Sequence, residues 1–424
     1  MSSTATTAFP FSQKAQRTGD SPIAWLMRKT IEDPEILSLA AGFVDTGTLP
    51  NDLVEAAVHK VFAEAGPGRD ALQYGTTPGY LPLRQTVASR LEEQGLSNVD
   101  PDCIAITNGG QQGLYTVTEA FVDPGDIVLV EDPTYFVYMD VLKSVGARVL
   151  GVSTDEEGMT PEGLRDRLRE LHESGQRGRL RILYLMSYYS NPKGSNMSAR
   201  RRRELYDIYL EEITKGPIFL PIEDACYRDL TLEGEPEPYM KEFDKGNEHI
   251  FATGTFSKAL APGLRLGWSY MPPEVHTALC RQKANQDFGS SNMNQRILLE
   301  MLRMGSYETA AARFRERYRV KRDALVQALR EHWPAETEIL HPKGGLYVWV
   351  RLPGVDNDPG SPFFNAVLEE KVLYVPGYYC FCEETQEPKP KDQMRLCYGV
   401  IDLEPMTEAV RRMGRVAAQF LKGG

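Results

Sequence analysis

Residues 253–268 read TGTFSKALAPGLRLGW and form the most informative stretch of the chain. Thr255 and Ser257 place two hydroxyl donors beside Lys258, and Arg265 follows seven residues after that lysine. Because a guanidinium group matches phosphate oxygens bidentately, these residues predict a phosphate cradle. The apolar neighbours of Lys258 can depress the pKa of its amine and leave it nucleophilic. A nucleophilic lysine beside a phosphate site indicates a Schiff base with pyridoxal phosphate (PLP).

Short β-rich runs alternate with amphipathic segments on both sides of this stretch. Seven runs predict strands, over 103–107, 127–131, 148–153, 182–187, 218–223, 250–254 and 266–271. Strands that alternate with helices predict a mostly parallel sheet with helices on both faces. We therefore expect an α/β fold, whose three-layer αβα large domain contains a mostly parallel seven-stranded sheet.

The C-terminal part of the chain has a different pattern. It predicts a long helix over 307–333, strands over 345–352, 372–375 and 394–398, and a final helix over 405–421. This mixture is typical of a smaller α+β domain. The N-terminal residues are too few and too interrupted by proline and glycine to fold alone. We expect a large domain over 53–292 and a small domain formed by 1–52 and 293–424.

The composition is that of an ordinary globular protein. The 424 residues are 42% hydrophobic and 25% charged, and the formal net charge is −11. A chain of this length can bury a large core. Disorder of the whole chain, a collagen-like repeat and a small disulfide scaffold are therefore excluded. The acidic balance argues against a broad surface for nucleic acid.

Neither the six cysteines nor the six histidines form a metal-binding pattern. The cysteines make no CxxC pair, and the histidines have no ligand spacing, so we expect no metal and free thiols in a reducing cytoplasm. The N-terminus lacks the apolar core of a signal peptide. The longest apolar runs are too short to span a membrane. We expect a cytoplasmic protein that contacts no membrane.

The lysine stretch resembles a known signature. From Ser257 onward the order Ser-Lys-x-x-x-Pro-Gly-x-Arg-x-Gly-Trp is similar to the lysine signature of fold-type I PLP-dependent aminotransferases. The chain resembles in particular the class I/II branch with the 2-aminoadipate and kynurenine aminotransferases, over nearly its whole length. This resemblance implies that Lys258 binds PLP as an internal aldimine. It also implies that Thr255, Ser257 and Arg265 bind the cofactor.

Other motifs occur in the order and approximate spacing of that family. NGGQQ over 108–112 follows a strand and opens a helix, an arrangement that suits an anion. The resemblance implies that Gly110 and Gln111 bind the PLP phosphate. Tyr135 matches the aromatic residue that stacks on the cofactor ring. Asn191 matches the asparagine that hydrogen-bonds the phenolic oxygen of the cofactor.

The segment EDACY over 223–227 ends an apolar strand. The resemblance implies that Asp224 pairs with the pyridine nitrogen, which makes the ring an electron sink. It implies that Tyr227 bonds the cofactor's O3′, and with Lys258 these two residues complete the expected catalytic set. Tyr74 matches a tyrosine that reaches the phosphate of the neighbouring subunit. A homodimer with shared active sites follows from that match.

Arg395 interrupts a short apolar strand, where an unpaired charge is costly. The resemblance implies that it binds the α-carboxylate of the substrate bidentately, and that Asn191 and the backbone at Gly42 also border the substrate. The implied activity moves an amino group between an amino acid and a 2-oxo acid. In that reaction the amine of Lys258 removes and returns the Cα proton.

Two departures from the family pattern leave the substrate side chain open. Lys193 stands where most relatives have threonine, and the preceding residues 186–190 are also unusual. We expect both near the mouth of the active site. They motivate an alternative, a PLP enzyme of specialised metabolism that performs elimination, replacement or carbon–carbon bond formation. A third hypothesis is a transcription regulator, but we expect no DNA-binding module because few residues precede Ser21.

Four consecutive arginines occupy positions 200–203, just after Ser198. Their position predicts the first turn of a helix that begins at this serine. Four positive charges there oppose the helix dipole. We expect a solvated face, and a phosphate or partner contact is the alternative.

Overall fold

The computed structural model describes residues 9–63, 67–385 and 387–422. The strands are β1 (Leu37–Ser38), β2 (Ile104–Thr107), β3 (Ile127–Asp132), β4 (Arg148–Asp155), β5 (Gly158–Met159), β6 (Leu180–Met186), β7 (Leu220–Asp224), β8 (Phe251–Thr255), β9 (Gly267–Tyr270), β10 (Glu338–Leu340), β11 (Tyr347–Arg351), β12 (Val372–Leu373), β13 (Val375–Pro376) and β14 (Gln393–Cys397).

The α-helices are α1 (Gln13–Arg17), α2 (Pro22–Glu32), α3 (Asn51–Ala63), α4 (Pro67–Ala71), α5 (Leu81–Glu93), α6 (Gly110–Phe121), α7 (Phe136–Val145), α8 (Pro161–Glu173), α9 (Ala199–Ile213), α10 (Pro273–Asp287), α11 (Asn292–Arg303), α12 (Ser306–His332), α13 (Pro362–Glu369) and α14 (Leu403–Lys422). Among the described residues, none of these helices has the length and apolar character needed to cross a membrane.

The large sheet contains all seven predicted strands, and their ends differ from the predicted ones by at most two residues. Its order is β2-β9-β8-β7-β6-β3-β4-β5, and the two-residue β5 extends it at one edge. Strand β9 is antiparallel to β2 and β8, and β5 is antiparallel to β4. The remaining pairs are parallel. The predicted α/β fold with a mostly parallel central sheet is confirmed.

Alternating residues of β3 show why this sheet needs helices on both faces. Ile127 and Leu129 pack into a core with α8 and α9, whereas Val128 and Val130 pack into the opposite core with α6 and α7. Successive strand side chains point to opposite faces. A strand that is apolar at every position is therefore buried on both sides, as parallel strands are.

A second, four-stranded sheet has the order β10-β11-β14-β13 and is antiparallel. The N-terminal segment joins this region, because β1 pairs with β12 and the Leu39 carbonyl accepts from the Cys397 N–H at 2.8 Å. The strand predicted over 372–375 is divided between β12 and β13, which pair with different neighbours.

This pairing of the two chain ends supports the expected small domain, and the division at 53–292 stays a prediction. Residues 1–8, 64–66, 386 and 423–424 of the predicted domains lie outside the described residues.

The arginine run at 200–203 corrects one expectation. Ser198 caps α9 as predicted, and its hydroxyl accepts from the Arg201 N–H at 3.3 Å. Arg200 and Arg203 are exposed, but Arg201 and Arg202 are buried. The expectation of a solvated face was wrong for these two, because successive helix residues are rotated by about 100° and four in a row cannot share one face.

Arg202 is fully buried, and each of its three side-chain nitrogens donates a hydrogen bond. It donates to the Ser187 carbonyl at 2.7 Å, to the Met197 and Pro238 carbonyls at 2.8 Å, and to the Glu223 carboxylate at 3.2 Å. Its guanidinium also lies 4.0 Å from the ring centre of Tyr188. A buried ion pair that is satisfied in this way is costly to break from one side.

We expect Arg202→Met to lower the free energy of unfolding by about 3–5 kcal/mol, because the buried Glu223 loses its cation. Its neighbour Arg203 makes an exposed ion pair with Asp207 at 2.9 Å, so Arg203→Met should cost at most about 1 kcal/mol. Urea unfolding of both variants measures the difference. Equal losses of stability would show that the buried pair has no special role.

Candidate active site

A cavity of about 370 Å³ lies at the carboxyl ends of the parallel strands. Ligands of open α/β sheets bind at this edge, since the loops after several strands meet there. Every predicted site residue except Tyr74 lines the cavity. These residues are Gly42, Gly110, Gln111, Tyr135, Asn191, Asp224, Tyr227, Thr255, Ser257, Lys258, Arg265 and Arg395.

Lys258 enters the cavity just after the end of β8. Its neighbours Phe256 and Ala259 are buried and anchor the turn. The Nζ atom donates to the Gly42 carbonyl at 3.0 Å. Burial lowers the pKa of the Lys258 amine, which increases the fraction of neutral, nucleophilic amine at a given pH.

Asp224 is the last residue of β7 and is buried. Its carboxylate accepts from the Tyr184 hydroxyl at 2.8 Å and from the Cys226 N–H at 3.0 Å. Burial raises the pKa of Asp224 because it disfavours the ionised carboxylate. A cation placed against this side chain would favour the ionised form again. Tyr184 was missed by the sequence reasoning, because a tyrosine inside an apolar strand looks like any other core residue.

The N-terminus of α6 and the lysine loop form a cradle of donors. Helix α6 starts at Gly110, and Arg265 reaches across to the Asn108 carbonyl at 3.3 Å. The Thr255 hydroxyl donates to the Ser257 hydroxyl at 3.0 Å. The buried side-chain oxygen of Gln111 has no hydrogen-bond partner among the described residues. Helix N–H groups, hydroxyls and a guanidinium together suit a phosphate.

Arg395 is 1% exposed. Its guanidinium donates to the Asn191 side-chain oxygen at 2.8 Å and to the Ala40 carbonyl at 2.6 Å. Among the described residues it forms no ion pair, and its Nε atom has no partner. A buried guanidinium without a carboxylate is costly, so this group is available for an anionic ligand.

Three aromatic side chains surround this guanidinium and the lysine. Phe136 and Tyr347 lie against it, with ring centres 5.3 and 4.4 Å from the Arg395 Cζ atom. The Tyr347 hydroxyl lies 2.9 Å from that of Tyr227. The sequence predicted a strand over 345–352 but did not single out Tyr347. Phe136 was missed, although it directly follows Tyr135.

Of the two unusual features, Lys193 does not line the cavity, and of residues 186–190 only Met186 does. Lys193 turns away and donates to the Asp155 carbonyl at 2.7 Å. Tyr188 and Tyr189 are buried and bond to the Glu237 carbonyl at 2.7 Å and the Thr231 hydroxyl at 3.0 Å. The expectation of a position at the mouth of the site was therefore wrong for Lys193, Tyr188 and Tyr189, whose polar groups bond to segments outside the cavity, whereas Met186 does line the cavity.

Tyr74 lies outside the cavity of its own chain. Its side chain is 84% exposed and packs edge-on against Phe288, with ring centres 5.7 Å apart. A large exposed aromatic pair of this kind is typical of a surface that a partner covers.

Comparisons with known proteins agree with this fold. The family model described as aminotransferase class I and II matches residues 34–413. The 2-aminoadipate transaminase of Thermus thermophilus is 33% identical over 97% of each chain. Aromatic-amino-acid aminotransferase 1 of Thermococcus litoralis is 31% identical over 97% of this chain and 95% of that protein. The crystal structure of Pyrococcus horikoshii kynurenine aminotransferase in complex with PMP superposes with a TM-score of 0.88, at 30% identity and 97% coverage of both chains.

The fold and site are those of a fold-type I PLP-dependent transferase. The chain belongs to the aminotransferase class I and II family and is a PLP-dependent aminotransferase.

The residues present fit PLP. The helix N–H groups at the start of α6, the hydroxyls of Thr255 and Ser257 and the Arg265 guanidinium are donors that suit its phosphate. The buried carboxylate of Asp224 suits a protonated pyridine nitrogen. Among the described residues no cluster of histidine, cysteine or acidic side chains could hold a metal ion.

We expect Gly267→Ala to weaken PLP binding at least tenfold. A Cβ atom there would lie 2.7 Å from the Gly109 carbonyl carbon and 2.8 Å from the Gly110 nitrogen, so the phosphate cradle would have to move. Gly263 lies four residues earlier, between β8 and β9, and an added Cβ atom there would meet no other atom within 4 Å. The Gly263→Ala variant should therefore bind PLP normally. Titration of the apoenzymes with PLP measures both constants, and equal affinities would contradict this account.

Proposed function

We propose that this aminotransferase uses Lys258, Asp224 and Arg395 as its principal functional groups. One observation carries the proposal: a lysine amine of lowered pKa, a buried carboxylate and a guanidinium that forms no ion pair within the described part of the chain line the same cavity. An amine, an acid and a carboxylate receptor are the groups that transamination of an amino acid requires.

When bound, PLP supplies an aldehyde carbon that accepts amino groups and a ring that withdraws electrons from the substrate's Cα. Lys258 holds the cofactor before the substrate arrives. Its released Nζ atom then takes the Cα proton and later returns it, as general base and general acid. The lowered pKa of this amine favours the neutral form that can take a proton.

The other cavity residues would hold the cofactor in place. Asp224 would pair with the pyridine nitrogen, and its bonds from Tyr184 and the Cys226 N–H fix its orientation. Tyr227 and Asn191 would donate to the phenolic oxygen, and Tyr135 would cover the ring. Gly110, Gln111, Thr255, Ser257 and Arg265 would hold the phosphate.

Arg395 would bind the α-carboxylate of each substrate. Its contacts to Asn191 and Ala40 fix the plane of the guanidinium and leave Nε unpaired. A fixed fork of this type matches a carboxylate bidentately. The carbonyl of Gly42 borders the same space, since it accepts from Lys258.

The cavity favours apolar or aromatic substrates. Its lining includes Met27, Phe43, Leu114, Phe136 and Val137. The cationic residues among the described lining are Lys258, Arg265 and Arg395, and each already has a role. A second carboxylate on the substrate would therefore be buried without a cation, which is costly.

We expect kcat/KM for phenylalanine and leucine to exceed that for aspartate and 2-aminoadipate by at least about tenfold, since the acidic side chains would be desolvated without a partner. A donor panel with one fixed 2-oxo acid measures this ratio. A preference for the acidic donors would overturn the assignment of substrate class and leave the reaction itself untouched.

Replacement of the lysine tests its role directly. We expect Lys258→Ala to lower kcat by at least about 10³-fold, because the general base is removed, and to abolish the absorbance band of the lysine-linked cofactor. Lys143→Ala, on the exposed side of α7, is the control and should be unaffected. Retained turnover and spectrum in Lys258→Ala would refute the assignment.

The exposed position of Tyr74 supports a homodimer with shared sites. We infer that Tyr74 reaches the cofactor phosphate of the partner subunit, where its exposed ring would be covered. Sedimentation velocity should give twice the chain mass, and Tyr74→Phe should weaken PLP binding. A monomer with full activity would exclude shared sites.

A cytoplasmic location is also part of the proposal. The six cysteines are free, and several are fully buried, as in proteins of a reducing compartment. Cell fractionation tests this location, and recovery outside the cytoplasm would contradict it.

A further inference from the structure

Lys193 belongs to the loop between β6 and α9, which also carries Asn191. The loop is folded on itself: the Gly194 N–H donates to the Ser190 carbonyl at 2.6 Å and the Ser190 N–H to the Ser195 carbonyl at 2.8 Å. Asn191 therefore cannot move independently of Lys193. Any displacement of this loop changes the contact between Asn191 and Arg395, which is 2.8 Å long.

The lysine side chain attaches this loop to the large sheet. Its Nζ atom donates to the Asp155 carbonyl at 2.7 Å and to the Thr154 hydroxyl at 3.2 Å, both at the end of β4. The Thr154 hydroxyl in turn donates to the Asp132 carbonyl at 3.0 Å, at the end of β3. One ammonium group thus connects the loop to two strand ends.

The opposite side of the loop packs on the smaller sheet. A Cβ atom at Gly194 would lie 2.9 Å from the Pro342 Cβ and 3.0 Å from the Tyr347 carbonyl oxygen. The loop is consequently clamped between two sheets, by close packing on one side and by Lys193 on the other. Removal of the ammonium would free one side only.

Carboxylates near Lys193 favour the charged form of its amine, which donates this contact. Burial lowers the pKa of Lys193, and the carboxylates of Glu131, Asp155 and Glu156 oppose that shift. The Asp155 carboxylate is itself held by Arg201 at 2.7 Å, so the carbonyl that receives Lys193 belongs to a fixed segment. Thr154 and Asp155 are therefore a firm attachment point.

We propose that Lys193 is a positioning residue, which sets the location of Asn191 and through it the orientation of Arg395 for the substrate carboxylate. The proposal rests on the carboxylate-binding role proposed for Arg395. A hydrogen bond weakens steeply when its geometry departs from the optimum. A small shift of Asn191 would therefore turn the guanidinium and weaken binding of every carboxylate ligand alike.

The test compares Lys193→Met with Lys143→Met in the PLP-loaded enzyme. We expect Lys193→Met to raise KM for the amino acid and for the 2-oxo acid about fivefold, as loss of a hydrogen bond worth about 1 kcal/mol predicts. The inhibition constant of 3-phenylpropanoate, a carboxylate that cannot react, should rise equally. The kcat value and the affinity for PLP should change less than KM does, because Lys193 contacts neither Lys258 nor the phosphate cradle.

Rescue separates positioning from a general loss of stability. Lys193→Arg keeps a donor for the Asp155 carbonyl and should restore the inhibition constant, whereas Thr154→Val removes one acceptor and should raise it partway. If Lys193→Met does not fold, these two variants decide the question in the same assay. An unchanged inhibition constant in Lys193→Met, or in Thr154→Val if Lys193→Met does not fold, would overturn the proposal.

The Arg395→Met variant distinguishes failure of the positioning role of Lys193 from failure of the carboxylate-binding role of Arg395. If Arg395→Met raises the inhibition constant and Lys193→Met does not, only the positioning role is refuted. If Arg395→Met leaves carboxylate binding unchanged, the proposed role of Arg395 fails, and the positioning role fails with it.

Discussion

The buried guanidinium of Arg395 is the constraint on which the site depends. Burying such a charge without a carboxylate is expensive, and the chain offsets this cost with two hydrogen bonds and two aromatic faces. The partners come from distant segments: Ala40 from the N-terminal strand region, Asn191 from the loop after β6, and Tyr347 from β11. The anion receptor therefore exists only when the two ends of the chain and the large sheet are assembled together.

Behind the cavity, buried ion pairs hold the segments that carry the site. Glu223 and Asp224 are neighbours on β7 and point to opposite faces, as strand residues do. Asp224 lines the cavity, and Glu223 bonds to Arg202 on the other side. Asp287, paired with Lys283, accepts from Asn108 at 2.8 Å and so supports the phosphate cradle. Each pair fixes a loop, and free movement of that loop would displace the reacting groups.

Much of the fold could be predicted because it follows from local pattern. The strands are continuous apolar runs, and the lysine stretch combines a nucleophile with phosphate donors in sixteen residues. Arg201, Arg202 and Lys193 could not be predicted in the same way. Their charges suggested solvent or an active-site mouth, but their partners lie on strands and loops many residues away. A charged residue is buried only when remote groups satisfy it, and sequence spacing does not reveal those groups.

The sequence by itself determined the fold class, the family and the chemical identity of the lysine, the acid and the guanidinium, because these depend on residue types at short range. The tertiary structure decided which of these groups meet. It brought Gly42 to the amine of Lys258 across more than two hundred residues, left Arg395 without a carboxylate, and turned Lys193 out of the cavity. These outcomes depend on contacts between segments that are distant in the chain, which form only when the two sheets pack together.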